Sequence, residues 1–332
     1  MRQRSFALVV VSSLLLLLAP AIEAGTDPVY PAPLAQVLRV DADGSDFQQL
    51  VPAAVALGFS AIDVDPLNQR VYWASFGESL PGPAGFSGRI RRADLGGGNV
   101  QEIVVGEGGV KLDPAGNKVY YTIGSDCDPC TSIYRANLNG SNVQNLANGV
   151  SFTPLALDLV AEKIYWYDQG EIISANLDGS GQQPLIGVTD SVSTMAVDSV
   201  NQKLYWTGSP PVPFSGTLYR VGLDGIQLEE LVTGLSSPAG LTLDVAGDRL
   251  WWTEYEAGTI RRAHLDGSDV TTIRDDLDEP RGIAYLAGPG QDGGRLYFLG
   301  NPQLVSVPAT SAWGVVALFL VLGVASRVIA SR

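Results

Sequence analysis

Histidine, cysteine and basic residues are scarce in this chain, and each scarcity excludes a class of function. His264 is the only histidine among 332 residues, so a histidine-based catalytic triad and a zinc site of the common type both lack their residues. The formal net charge of −14 argues against nucleic acids and anionic membrane surfaces as partners, because both require a basic protein surface. We therefore expect no catalytic residues, no bound metal and no cofactor.

The chain has two cysteines, Cys127 and Cys130, in the segment Ser-Asp-Cys-Asp-Pro-Cys-Thr. In an oxidising compartment this spacing favours a local disulfide that closes one loop. Thioredoxin-like redox chemistry is the alternative. It requires the pair at a helix N-terminus, where the dipole lowers the thiol pKa, whereas this pair lies between two predicted strands.

The N-terminus has the composition of an export signal. Two arginines precede an apolar stretch from Phe6 to Ala19, and small residues follow through Ala24. The pattern predicts a secretory signal peptide over residues 1–24, with an uncleaved membrane anchor as the alternative. We assign residues 25–35 to a linker.

The C-terminal segment, residues 307–332, begins Val-Pro-Ala-Thr-Ser-Ala-Trp-Gly and continues with an apolar run and two arginines. It resembles the IPTL-type sorting signal of Gram-negative bacteria, in which a Pro-Thr-Leu-Ser-x-Trp motif precedes a membrane segment and a basic tail. Proline, serine, tryptophan and glycine match, while Ala-Thr replaces Thr-Leu. The alternative is a plain single-pass anchor with the arginines on the cytoplasmic side. Both interpretations predict an exported domain, at the cell envelope or extracellular, that is tethered at least transiently by this segment.

A basic residue, an apolar residue and an aromatic residue recur together six times, and successive aromatics lie 40 to 48 residues apart. Self-similarity at this period indicates a solenoid, a propeller or an array. A unique site would not be built six times, so we interpret the repeated residues as structural. The six triplets are Arg70-Val71-Tyr72, Lys118-Val119-Tyr120, Lys163-Ile164-Tyr165, Lys203-Leu204-Tyr205, Arg249-Leu250-Trp251 and Arg295-Leu296-Tyr297.

Each repeat predicts four short strands. The first ends at an aspartate, a five-residue turn leads to the aromatic strand, a variable loop leads to the third, and a glycine turn leads to the fourth. We interpret the Asp-Gly, Asn-Gly and Gly-Gly pairs as two-residue hairpins in which both central residues have positive φ. The aspartates are Asp65, Asp113, Asp158, Asp198 and Asp244, and the turn glycines are Gly44, Gly97, Gly140, Gly179, Gly225 and Gly267.

The strand count also predicts how the array ends. The third-and-fourth strand pairs begin at Gln36, before the first-and-second pairs begin at Ala61. The N-terminal hairpin therefore has no partners of its own, and we expect it to complete the last blade, where Leu304-Val305-Ser306 competes for the third position. The predicted fold is all-β, a monomeric six-bladed β-propeller of four-stranded blades over residues 36–306.

The order Leu-x-Leu-Asp, five residues, Lys/Arg-Leu-Tyr-Trp-Thr and Ile-x-x-Ala-x-Leu-Asp-Gly resembles the YWTD repeat of the low-density-lipoprotein receptor class B family. The resemblance covers roughly residues 36–300 and implies a six-bladed propeller, in agreement with the strand count. The family's acid at the end of the motif is present only as Asp168 and Glu254. The resemblance therefore implies fewer ties between blades and a larger share for aromatic packing, including five of the six tryptophans.

Loop lengths predict where a ligand binds. Loops between second and third strands vary greatly, and in a propeller they share a face with the blade-to-blade connections. Variable loops on a rigid scaffold often carry binding residues, and exposed aromatics among carboxylates suit a protein or glycan partner. Tolerated insertions without a ligand are the alternative. The predicted binding face consists of Phe76, Glu78, Phe86, Asp126, Asp128, Phe152, Phe214, Tyr255 and Glu256.

Two functions remain open from the sequence. The first is a binding or scaffold module for a protein or glycan at the cell envelope. The alternative is a propeller hydrolase resembling calcium-dependent lactonases, with the metal held by acids that line the central channel. The first strands offer few inward acids beyond the repeated aspartates, so we expect the binding module and not an enzyme.

Overall fold

The protein is represented by a computed structural model that describes residues 36–51, 58–79, 86–124, 131–150, 154–209, 215–288 and 293–300. Of residues 58, 59, 76–79, 86 and 87, the backbone alone is described. All of these residues belong to one compact unit, Pro33–Arg332. The predicted signal peptide, linker, C-terminal segment and cysteine pair lie outside the described residues, as does the competing strand Leu304-Val305-Ser306.

Within these ranges the chain forms 24 strands and no helix, so it contains no helix long and apolar enough to span a membrane. The strands assemble into six antiparallel sheets of four, which confirms the predicted propeller. The first strands of neighbouring blades contact one another around the centre.

The chain opens with β1 (Gln36–Asp41) and β2 (Gln48–Val51), and five complete blades follow. Blade 1 is β3 (Gly58–Asp65), β4 (Arg70–Ser79), β5 (Phe86–Asp94) and β6 (Gln101–Val105); blade 2 is β7 (Val110–Asp113), β8 (Lys118–Ile123), β9 (Thr131–Asn137) and β10 (Gln144–Val150); blade 3 is β11 (Leu155–Asp158), β12 (Lys163–Asp168), β13 (Glu171–Asn176) and β14 (Gln183–Gly187). Blade 4 is β15 (Ser191–Asp198), β16 (Lys203–Ser209), β17 (Gly216–Gly222) and β18 (Glu229–Leu235); blade 5 is β19 (Pro238–Asp244), β20 (Arg249–Glu254), β21 (Thr259–Ala263) and β22 (Thr271–Arg274).

Blade 6 joins the two ends of the domain. It consists of β23 (Ile283–Leu286) and β24 (Arg295–Gly300) followed in space by β1 and β2. The β1–β24 pairing runs without interruption from Gln36 opposite Gly300 to Asp41 opposite Arg295. The N-terminal hairpin therefore occupies the third and fourth positions of the last blade, as the strand count predicts.

The hydrophobic core is divided into six clusters, one at each interface between neighbouring blades. Adjacent second-strand residues serve opposite interfaces because side chains alternate along a strand. Tyr72 packs against blade 2, whereas Trp73 packs against blade 6. The five second-strand tryptophans are at most 2% exposed, which confirms their assignment to the core. They are Trp73, Trp166, Trp206, Trp251 and Trp252.

The repeated aspartates shape the turn that follows the first strand. Asp65 is fully buried, and its Oδ1 accepts hydrogen bonds at 3.0 Å from the backbone N–H groups of Leu67 and Asn68. Asp198 makes the equivalent bonds in blade 4. These carboxylates satisfy donors of their own turns, which confirms the structural interpretation of the repeated aspartates.

The glycine turns differ from the predicted two-residue hairpins. In blade 6, Gly44 has φ of 92°, but Asp43 before it does not have positive φ, and the next positive value is at Asp46. In the other five glycine turns, the residue before the glycine likewise lacks positive φ, and the next positive value lies two residues after the glycine. The prediction that both central residues have positive φ is therefore wrong. Asp43 instead accepts hydrogen bonds from the backbone and hydroxyl of Ser45, an aspartate turn that requires positive φ at the glycine alone.

Third-strand arginines tie blades together. In blades 1, 2 and 4, an arginine donates from Nη1 to the carbonyl oxygen of a leucine in the next blade. Glu254, one of the two acids at the end of the motif, instead accepts from Trp252 and Arg261 of its own blade. The expectation of fewer ties between blades was based on the missing acids and did not include these arginines, which supply ties of another kind. The bonds are Arg92 to Leu138 at 2.9 Å, Arg135 to Leu177 at 2.8 Å and Arg220 to Leu265 at 2.9 Å.

Gly97 and its neighbour Gly96 provide a matched pair for testing the glycine turns. A methyl group at Gly97 would collide with the carbonyl oxygen of Leu50 in blade 6, and φ there is 84°; at Gly96 nothing lies within 4 Å. We expect Gly97→Ala to lower the free energy of unfolding by about 2 kcal/mol, because left-handed strain adds to the collision. We expect Gly96→Ala to be neutral or to stabilise by up to about 1 kcal/mol, because alanine restricts the unfolded chain. Urea unfolding measures both, and equal effects of the two substitutions would contradict the contact.

Candidate binding face and central channel

The two faces of the ring are built from different segments. We call the face with the second-to-third loops and the blade-to-blade connections the loop face, and the opposite face, formed by the tight turns, the turn face. Gln36 and Gly300 lie together at the loop face, because β1 begins there and β24 ends there. Of the predicted binding residues, those in described segments of the loop face are Phe76, Glu78, Phe86, Tyr255 and Glu256.

Most of the predicted binding residues lie outside what the structure describes. Asp126, Asp128, Phe152 and Phe214 fall outside the described residues altogether. The side chains of Phe76, Glu78 and Phe86 are not described, but their backbone is part of β4 and β5, where Ser79 pairs with Phe86. Much of the predicted loop from Ser75 to Gly88 is therefore a hairpin that prolongs blade 1, and its interpretation as a loop is wrong to that extent.

Tyr255 and Glu256 follow β20 directly and form the described part of the predicted face. The Tyr255 backbone N–H donates to the carbonyl oxygen of Ser237 at 3.0 Å. The guanidinium carbon of Arg281 lies 4.5 Å from the centre of the Tyr255 ring, a cation–π contact. Arg281 Nη2 lies 4.0 Å from Glu279 Oε2. Arg281 and Glu279 were not predicted from the sequence, because they approach Tyr255 from the connection between blades 5 and 6.

Blades 5 and 6 hold this group in place through backbone bonds. The Arg281 N–H donates to the carbonyl oxygen of Leu299 at 2.7 Å, and the Arg281 carbonyl accepts from the Thr253 hydroxyl at 3.0 Å. Burial, followed by a hydrogen bond to Glu279, raises the pKa of Tyr255 to about 12, although Arg281 acts in the opposite direction. Tyr255 is therefore a neutral hydrogen-bond donor at physiological pH.

The loop face is strongly acidic. Its described connecting segments, which lie outside the strands, contain seven acids and one base, Arg281. Burial and the neighbouring Glu279 raise the pKa of the Asp278 carboxyl. Such a surface attracts cationic groups and repels anionic ones. The acids are Glu107, Asp190, Glu256, Asp275, Asp276, Asp278 and Glu279.

The central channel is narrow on the side of the loop face. A cavity of about 60 Å³ there is lined by small residues such as Ser60, Gly108, Gly240 and Gly282. A methyl group at Gly240 would meet the backbone nitrogen of Ile283 at 2.7 Å, so the first strands approach closely here. A cavity of this volume holds a few water molecules.

The channel widens on the side of the turn face, where a cavity of about 190 Å³ contains Asp63 and Lys111. Asp63 accepts hydrogen bonds from Val64 N–H at 3.0 Å and, across the blade interface, from Leu112 N–H at 2.9 Å. Burial raises the pKa of Asp63, while Lys111 and the two N–H groups act to lower it. Asp63 was not predicted as a site residue, although Ile-Asp-Val-Asp places it two residues before the repeated Asp65 and hence on the same side of β3.

The residues described here offer little for metal or histidine chemistry. They contain no group of three or more histidine, cysteine, aspartate or glutamate side chains placed to hold a metal ion. His264 follows β21 at the turn face, and its Nδ1 lies 2.7 Å from Asp248 Oδ2 and 2.6 Å from Arg249 Nη1. These contacts connect two turns of one blade.

Residues 248–284, which include β20 to β22, match the family model described as low-density lipoprotein receptor repeat class B. This segment of the chain is therefore similar to a low-density lipoprotein receptor class B repeat. This match confirms the resemblance drawn from the repeated motif, and the six blades give that repeat its structural context. Protein cueball of Drosophila erecta is 31% identical over 150 residues, covering 41% of this chain and 22% of cueball. The chain thus spans about a fifth of the length of this curated relative.

Solved structures share the fold at low sequence identity. The nidogen/laminin complex gives a TM-score of 0.54 at 21% identity, covering 68% of this chain and 84% of the other. A putative TolB from Agrobacterium tumefaciens gives 0.61 at 13% identity, with coverage of 81% and 99%. The GH74 enzyme of Niastella koreensis gives 0.57 at 14% identity, with coverage of 81% and 48%. At these identities the likeness shows the fold alone, which both enzymes and other proteins use.

Asp63 predicts a pH dependence of stability with a definite sign. Because its pKa is raised in the folded state, the folded protein holds this proton more tightly than the unfolded chain above about pH 4. The free energy of unfolding of the wild type, minus that of Asp63→Asn, should therefore fall as pH rises from about 4 to 7. Urea unfolding across this range measures the difference.

Asp43 is the control with the opposite sign, because hydrogen bonds from Ser45 lower the pKa of this exposed carboxyl. The corresponding difference for Asp43→Asn should decline as pH falls below about 4. A difference for Asp63 that increases with pH would show that the Leu112 and Lys111 interactions outweigh burial.

Proposed function

We propose that this protein is an exported, surface-associated β-propeller that acts as a binding module, with the loop face as the surface that takes a protein or glycan partner. The observation that carries the proposal is the group of Tyr255, Glu279 and Arg281, held by the backbone of two blades within an acidic surface. The proposal of export is based on the predicted signal peptide, residues 1–24. The proposal of tethering is based on the C-terminal segment, residues 307–332.

The Tyr255–Arg281 pair has the properties of an interface anchor. Tyrosine and arginine are enriched among the residues that dominate binding energies. Bonds from Ser237, Leu299 and Thr253 fix the backbone of both residues, and the cation–π contact between the two side chains limits the freedom that they lose when a partner binds. The Tyr255 hydroxyl is hydrogen-bonded to the Glu279 carboxylate, so this pair presents further acceptor oxygens at the same place.

The charge of the loop face favours a partner that presents basic groups. Seven acids against one base in the described connections create a potential that accelerates association with cations at low ionic strength. A propeller of the same fold is found in the nidogen/laminin complex, which supports the use of this scaffold in protein assembly.

Tyr255→Ala combined with Glu256→Ala tests the proposal. The labelled protein is cross-linked to its partner in cell envelopes, and the amount of captured partner is measured. We expect the double variant to capture at least tenfold less partner than the wild type, because it lacks both the tyrosine anchor and one negative charge. Leu67→Ala with Val200→Ala is the matched control, since these exposed turn-face residues should leave capture unchanged. Equal capture by the wild type and the loop-face variant would contradict the proposal that the loop face binds the partner.

Calcium titration tests the alternative, a hydrolase resembling calcium-dependent lactonases. Asp63 is the one carboxylate among the residues that line the wider cavity, and two backbone N–H groups already occupy its oxygens. Calcium requires six to eight oxygen ligands, so we expect chelator-treated protein to show no tight stoichiometric site by calorimetry. One tight site per chain would replace the binding-module proposal and direct the search to lactones and esters.

A further inference from the structure

On the turn face, the groove between blades 3 and 4 lacks the arginine side chain that occupies the grooves after blades 1, 2 and 4. Blades 1, 2 and 4 each extend a third-strand arginine toward the next blade, namely Arg92, Arg135 and Arg220. Blade 3 has Ser174 at this position. The strand register shows the equivalence, because Ser174 pairs with Tyr165 as Arg92 pairs with Tyr72.

In an occupied groove the guanidinium meets three kinds of acceptor. Arg92 donates to the Tyr72 hydroxyl at 3.2 Å, to the Leu138 carbonyl of the next blade at 2.9 Å, and through two nitrogens to Gln101 Oε1 at 2.9 and 3.1 Å. A tyrosine, a leucine carbonyl and a fourth-strand amide or carboxylate therefore define the binding site of an arginine.

The same leucine and fourth-strand positions supply acceptors in the grooves after blades 2 and 4. Arg135 donates to Leu177 at 2.8 Å and Gln144 at 2.7 Å. Arg220 donates to Leu265 at 2.9 Å and to the Glu229 carboxylate at 2.7 Å. The set of acceptors is thus a repeated feature of the fold and not a property of one blade.

The groove between blades 3 and 4 keeps all three acceptor positions without the arginine. Tyr165 is the second-strand tyrosine, Gln183 pairs with Ser174 as Gln101 pairs with Arg92, and Leu223 bonds to Gln202 as Leu138 bonds to Asn117. We call Tyr165, Gln183 and the Leu223 carbonyl the socket. The Tyr165 hydroxyl makes no hydrogen bond with a described residue, and Tyr165 as a whole is 3% exposed.

We propose that the socket binds a guanidinium group supplied from outside the chain, the arginine side chain of a partner protein. Its acceptors match the planar donor fork that the chain itself places in the equivalent grooves, whereas an ammonium group presents its donors from a single nitrogen. The buried Oδ2 of nearby Asp158 has no hydrogen-bond partner and adds negative charge beside Tyr165.

The charge of the chain favours the same ligand. Residues 1–24 and 307–332 contain four of the 21 bases and one of the 35 acids, which leaves 17 bases against 34 acids in the remainder. A cationic peptide is therefore attracted to the domain before it reaches the groove. The socket opens on the turn face, so this proposal is independent of the loop-face function.

Methylguanidinium is the probe for the first experiment, with methylammonium as its control. Calorimetry on the full chain should show one saturable site of millimolar affinity for methylguanidinium, because a small ion makes few contacts. Methylammonium should bind at least tenfold more weakly. Ser174→Arg fills the socket from within, so it should abolish binding and raise the melting temperature by about 2 °C or more. Ser174→Ala keeps the socket open and should bind as the wild type does.

Arg220→Ser provides the internal standard, because it opens the equivalent groove between blades 4 and 5. It should lower the melting temperature, and methylguanidinium should restore part of the loss and bind at a second site. Undiminished binding in Ser174→Arg, equal binding of methylammonium, or a wild type that does not bind would each overturn the proposal. Partner capture through the loop face should be the same in Ser174→Arg and the wild type, so failure of the two proposals is distinguishable.

Discussion

The pairing of β1 with β24 is the constraint on which the rest of the structure depends. Six consecutive residue pairs from Gln36 opposite Gly300 to Asp41 opposite Arg295 join strands from opposite ends of the domain. Without them blade 6 would have two strands, and two of the six core clusters would lose the residues that β1 contributes. Closure also removes the open ends that a linear array of blades would expose.

A closed ring makes each blade dependent on both of its neighbours. The turn glycine of one blade lies against the fourth strand of the blade before it, as Gly97 does against Leu50, while third-strand arginines reach the blade after it, as Arg92 does toward Leu138. Contacts in both directions couple the blades beyond the packing of aromatic residues. The loop face inherits this rigidity, because Tyr255 and Arg281 are fixed by strands of two different blades.

The sequence was sufficient for the fold because burial in a propeller follows the repeat directly. Alternation along the second strand assigns Tyr72 and Trp73 to opposite interfaces, and counting strands assigns the N-terminal hairpin to blade 6. The turn type was not predictable in the same way, since an Asp-Gly pair is compatible with positive φ at one residue or at two. In Asp43-Gly44 the hydrogen bonds from Ser45 decide between them. The candidate site was the most difficult part to predict from the sequence. Tyr255 contacts Arg281 only when blade 6 is in place, and Asp63 does not occupy one of the repeated positions.

The position of the two ends has a mechanical consequence. Gln36 and Gly300 are opposite each other at one end of an antiparallel pair, so a force that separates the ends acts first on that single residue pair. The hydrogen bonds between β1 and β24 then carry the load one after another, as in a zipper, and not together, as they would if the strands were sheared along their length. The seam that closes the ring is therefore where tension applied through the ends of the domain opens it.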